Sequence, residues 1–120
     1  MNLRRWLVGI SGLAVLGVTG CRSHHVDATV ENHTGAAIRL LEVDYPSASF
    51  GADSVGADSV LRYRIQLQGQ GQLKVQYTAP DGHQTQIDGP VLVEGQEGQL
   101  DIVLQPGGKA EFHPQLTPAR

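Results

Sequence analysis

Few side chains in this sequence can attack, ligate or relay a proton, and their spacing decides what each could do. There is one thiol, Cys21, and there are five imidazoles: His24, His25, His33, His83 and His113. A thiolate with imidazoles makes a transition-metal set only when the ligands converge in fixed geometry. His24 and His25 are adjacent, so in an extended chain their rings point opposite ways. The other three are scattered, and no metal site is expected. A hydrolase elbow would place serine in Gly-x-Ser-x-Gly, a pattern missing after residue 20. Ser47, Ser49, Ser54 and Ser59 fall in a stretch read as loop, and no spacing ties them to His83 and Asp88 as a triad. Gly69-Gln70-Gly71 lacks the following helix that a phosphate cradle requires. Paired carboxylates for glycoside chemistry need a cleft that so small a domain seldom forms. The expectation is a protein that is not an enzyme and has no cofactor.

One repeat stands out. Gly51-Ala52-Asp53-Ser54-Val55 recurs at once as Gly56-Ala57-Asp58-Ser59-Val60. Asp53, Ser54, Asp58 and Ser59 offer oxygens to calcium, but calcium takes six to eight and this run lacks dense acidic spacing. A five-residue period is too short for a stacked repeat. The expected reading is a duplicated surface loop, where insertions are tolerated.

Cys21 gains its meaning from what precedes it. Arg4 and Arg5 give a short positive start, and residues 6–18 (WLVGISGLAVLGV) are uncharged and apolar. These 13 residues suit the hydrophobic core of a secretion signal and fall short of the ~20 needed to span a bilayer. Val18-Thr19-Gly20-Cys21 resembles the lipobox of bacterial lipoproteins, with Val18 as a variant at the aliphatic position. The resemblance covers residues 1–21 only. It implies cleavage between Gly20 and Cys21 and a diacylglyceryl group on the Cys21 sulfur. In that family the new amino group is often acylated as well. Two or three acyl chains hold stably where one does not. Arg22, in place of Asp, implies the outer membrane where the host has two. Export through the general secretory route fits better than the twin-arginine route, whose flanking residues are missing around Arg4-Arg5.

A short tether, residues 21–25, then leads to the first strand-like run near Val26. Fully extended it spans roughly 18 Å, so the domain is expected to ride close to the bilayer. Without residues 1–20 the chain keeps 7 Lys/Arg against 12 Asp/Glu, a net charge of -5. Nucleic acids and anionic lipid surfaces select clustered cations, so no nucleic-acid partner is expected. With one cysteine there is no internal disulfide.

From Val26 onward the apolar period is 2. Val26, Ala28 and Val30 alternate with polar residues, and Asn32-His33-Thr34-Gly35 reads as a turn. In Ile38–Tyr45 the phase slips by one between Leu40 and Leu41, as a β-bulge would make it. Pro46 should end that pairing or place it at an edge. Leu61, Tyr63, Ile65 and Leu67 form an apolar row opposite Arg62, Arg64, Gln66 and Gln68. Leu73, Val75 and Tyr77 oppose Lys74 and Gln76. With Gly69-Gln70-Gly71 between them, the two read as a hairpin with one polar face. Pro80-Asp81-Gly82 is a turn by mechanism, Pro presetting φ and Gly accepting a positive φ. Residues 83–87, 91–93, 100–104 and 110–113 read as further short strands, and 114–120 as a frayed tail.

Seven or eight short strands with no helical apolar face predict an all-β fold. The form expected is a small antiparallel β-sandwich, Ig-like or similar, over residues 26–113, after a cleaved signal helix at 1–20. A small barrel is the alternative. The functional expectation is a non-enzymatic envelope lipoprotein, held to the membrane through Cys21. It would act as a binding or structural module, with an edge strand open to a protein partner. The alternative is a carrier holding an apolar ligand between its sheets.

Overall fold

The structure, a computed structural model, describes residues 24–118. The signal segment, Gly20 and Cys21 lie outside the described residues. The strands are β1 (Val26–Asn32), β2 (Ile38–Tyr45), β3 (Ala48–Val55), β4 (Val60–Ile65), β5 (Gln70–Thr78), β6 (Gln84–Val93), β7 (Glu97–Gln105) and β8 (Lys109–Thr117). They form two four-stranded sheets, ordered β4-β1-β7-β8 and β3-β2-β5-β6. Together these make the β-sandwich that the alternation predicts.

The core follows directly from that alternation. Val26, Ala28 and Val30 of β1 and Leu100, Ile102 and Leu104 of β7 face inward from the first sheet. Ile38, Leu41 and Val43 of β2 and Leu73, Val75 and Tyr77 of β5 meet them from the second. Burying each such valine, leucine or isoleucine side chain is worth about 1.5–3 kcal/mol. The bulge also falls where the phase slips. The register of β2 against β5 shifts between Arg39 and Glu42, and Leu40 takes φ +52°. That extra residue keeps both Ile38 and Leu41 inward and turns Leu40 out to solvent, 60% exposed.

Several expectations need correction. Five strand pairs are antiparallel, but β1 and β7 run parallel, with Val26 opposite Gly98 and Asn32 opposite Leu104. A parallel pair needs a long connection, and here most of the chain supplies it. The expected hairpin around Gly69-Gln70-Gly71 does not form. β4 pairs with β1, whereas β5 pairs with β2 and β6. Residues 66–69 carry the chain from one sheet to the other, with Leu67 buried on the way and Gly69 at φ +78°. Two half-apolar strands can hide their apolar sides within one sheet or across a core, and this chain takes the second course. Arg62 and Arg64 therefore face solvent from one sheet, and Lys74 and Gln76 from the other.

The stretch expected as a duplicated loop is mostly strand. The first GADSV copy is the second half of β3, while Gly56-Ala57-Asp58-Ser59 makes the turn into β4. Residues expected as two short segments form one strand, β6, whose register against β5 shifts between Gln72 and Lys74. β8 continues to Thr117, with Pro114 opposite Leu100. The frayed tail expected from 114 thus begins later, and residues 119–120 lie outside the described residues. The turn at Pro80-Asp81-Gly82 is as read: the Gly82 amide donates to the Ala79 carbonyl at 2.9 Å, with Gly82 at φ +89°.

Aromatic side chains close both open sides of the sandwich. Along β3 and β4, Phe50 stacks on Tyr63 and tilts against Tyr45. Along β6 and β8, Phe112 lies so close to Gly89 that a β-carbon there would stand 2.9 Å from its ring.

Candidate functional site

Strand direction sorts the loops into two groups. His24 and His25 enter at one end, which also holds residues 46–47, 66–69 and 94–96 and the end of β8. The other end holds the turns at 33–37, 56–59, 79–83 and 106–108. Strands of six to ten residues separate the two ends, a distance of about 25 Å at the usual rise.

At the entry end, the described chain begins against the start of β7. His24 Nδ1 lies 2.9 Å from Glu97 Oε1, and the Gly98 amide donates to the His25 carbonyl at 3.2 Å. These two residues are already fixed to the start of β7, so only Arg22 and Ser23 separate Cys21 from docked chain. Three extended steps reach about 10 Å.

At the far end, an open cleft of about 380 Å³ lies between the β5–β6 and β7–β8 turns and the 34–38 segment. Ala36, Ile38, Ala79, Pro80 and Pro106 give it apolar walls, and Thr34, Asp81, His83, Gln84 and Gln105 add polar groups. Tyr77 borders it; the body of Tyr77 is buried, and no described residue hydrogen-bonds its hydroxyl. The Asp81 carboxyl is held below its ordinary range, chiefly because the His83 amide donates to it at 2.9 Å. His83 Nδ1 also lies 3.1 Å from Asp81. The cleft contains no lysine or arginine. It suits neutral or cationic groups better than anions.

Asn32 frames this end and escaped the sequence reading, which took it only as a turn residue. It is fully buried. Its amide nitrogen donates to the carbonyls of Ala36 (2.8 Å), Val55 (3.0 Å) and Gly56 (3.0 Å). Its Oδ1 accepts from the Thr34 amide and hydroxyl. One side chain thus ties the turn after β1 to the turn after β3. The signal that pointed to it was the Asn-x-Thr spacing typical of an Asx turn.

The scattered candidates stay scattered. Asp88 stands opposite Lys74 within β6, away from the turn that carries His83. Ser49 and Ser54 lie on β3, Ser59 belongs to the far-end turn, and Ser47 sits at the entry end with φ +84°. Asp53 is on a strand and Asp58 in a turn, so they build no calcium loop. His33 lies near Glu31 and His113 near Glu111, each exposed beside one carboxylate. No group of metal-ligating residues forms among the described residues, and no helix among them is long and apolar enough to cross a membrane.

No family model matches the chain, and no curated protein matches it. Among solved structures, an NMR structure of a protein from Eubacterium rectale is similar, with a TM-score of 0.56 at 12% identity. The likeness covers 77% of this chain and 89% of that one. At that identity it speaks for the fold alone.

Proposed function

We infer that this chain is a non-enzymatic envelope lipoprotein, fixed to the membrane by acyl chains on Cys21 and serving as a binding or structural module close to the bilayer. The observation that supports this best is where the domain begins. Docked chain starts three residues after Cys21, at one end of the sandwich, and the turn-lined cleft lies at the other. An anchor at Cys21 therefore turns the entry end toward lipid and the cleft away from it. Arg22 favours the outer membrane of a two-membrane host, by the sorting pattern of the lipoproteins.

The carrier alternative is less well supported. It needs free space between the sheets, where Val26, Val30, Leu73, Leu100 and Ile102 are fully buried and in contact. The far-end cleft lies among turns and opens to solvent.

The test is mass spectrometry of the native protein with fractionation of Cys21→Ser. Expected are an acylated N-terminal Cys21 and release of the variant from the membrane fraction. An unmodified Cys21 sulfur, or cleavage elsewhere, overturns the reading.

A further inference from the structure

Four strands end the two sheets, and they are protected unequally. β8 carries Lys109 and Pro114, β6 carries Pro90, and β4 is short and carries Arg62 and Arg64. Proline and cationic residues are the usual means of blunting an edge against added strands. β3 has neither. Its eight residues, ASFGADSV, pair on one side only, with β2.

The surface beside this edge selects what can pair with it. An open cleft of about 300 Å³ lies on β2 and β3, lined by Leu40, Glu42, Gly51, Ala52 and Asp53. Gly51 has no side chain to fill it, and a β-carbon there would collide with the Leu41 carbonyl. Leu40 gives the cleft an exposed apolar surface, held there in a left-handed conformation that leucine rarely adopts. Glu42 and Asp53 supply carboxylates. Glu42 is bonded to Gln76 Nε2 at 2.9 Å, and Asp53 has no partner among the described residues. Arg39, opposite Ser54, is the nearby cation on β2. Residues 24–118 hold all 12 acidic side chains but only five of the nine basic ones, a net -7. That charge disfavours a second copy and favours a cationic occupant.

We propose that β3 is a docking edge for an extended polypeptide segment bearing lysine or arginine. The segment adds as a further strand of the second sheet. A long basic side chain lies across Gly51, its stem on Leu40 and its charge at Asp53 and Glu42. This rests on reading the protein as a binding module, but does not depend on the lipid anchor.

The test uses the full chain in phosphatidylcholine vesicles, which carry no net charge. The probes are an acetylated nonapeptide of alternating lysine and valine and its glutamate counterpart. Expected are binding of the lysine peptide, slowed amide exchange across residues 48–55, and at least about tenfold weaker binding of the glutamate peptide. Asp53→Lys should weaken the lysine peptide about fivefold, the order expected for an exposed charge. Lys109→Glu, on a different edge, should leave it unchanged, and Cys21→Ser should bind equally, which separates this site from the anchor. Equal binding of both peptides, or indifference to Asp53→Lys, overturns the proposal. So does sedimentation of the peptide-free protein as a dimer that Asp53→Lys dissociates, which would give the edge to a second copy.

Discussion

Phe50 and Tyr63 stack with ring centroids 4.8 Å apart and planes within 2°. Phe50 belongs to β3 and Tyr63 to β4, so the contact joins one sheet's edge to the other's. Tyr63 keeps the inward phase that alternation predicts, opposite Ala28, yet stays 49% exposed because no strand lies beyond it. The pair acts as a clasp on the open side of the sandwich. Phe50→Ala should cost about 3 kcal/mol, as a buried aromatic does. Tyr63→Ala should cost about 1 kcal/mol. The double variant should reveal a coupling of about 1 kcal/mol in urea unfolding. Strictly additive losses would show that the stack holds nothing together.

The same cluster contributes to the alkaline dependence of stability. The Tyr45 hydroxyl titrates above its ordinary 10.0, first because it is partly buried and then because Tyr63 lies near. The unfolded chain releases that proton more readily than the folded one. The contribution of Tyr45 is therefore complete below pH 10 and falls away as pH rises through the raised folded value. Tyr45→Phe should flatten the stability profile above pH 10. An unchanged alkaline slope in denaturant midpoints would assign the loss to other groups.

Asn32 offers a sharper perturbation. Removing its amide leaves three carbonyls without their donor, and Asn32→Ala should cost about 2–4 kcal/mol. Asn32→Asp should cost more at neutral pH, where a carboxylate would face those carbonyls, and should recover in part under acid conditions that protonate it. A loss below about 0.5 kcal/mol for Asn32→Ala would mean that water or neighbouring groups replace the bonds easily.

The duplicated pentapeptide supplies an internal control. Gly51 and Gly56 have the same four following residues, but a β-carbon on Gly51 would collide with the Leu41 carbonyl, while one on Gly56 meets only Ser59 Oγ at 3.1 Å. Gly51→Ala should destabilise by more than about 2 kcal/mol and Gly56→Ala by less than about 0.5 kcal/mol, the ordinary surface range. Thermal melts of the two variants decide it, and equal shifts would contradict the difference in packing.

Much of the architecture was legible because it is local. Alternation marked the strands around Val30, Val75 and Ile102, since a strand with one buried face must repeat every two residues. The phase slip at Leu40-Leu41 marked the bulge, and Pro80-Asp81-Gly82 marked its turn by backbone preference. The candidate site was far less legible. Its cleft joins residues from the 34–38, 77–85 and 105–108 segments, and no local pattern links them. The edge proposed for docking was expected only in kind, because which strands become edges depends on the order of the sheets.

By itself, then, the sequence determined which residues turn inward and which turns the backbone favours. It also led the only cysteine to be read as an anchor. The tertiary structure alone decided which strands pair. Residues 61–67 and 73–77 look like two halves of a hairpin, yet they go to opposite sheets. β1 finds β7 across most of the chain. One pentapeptide is strand in its first copy and turn in its second. The reason is common to all three: alternation specifies a buried face without naming its neighbour. That choice is made when eight apolar faces close over one core.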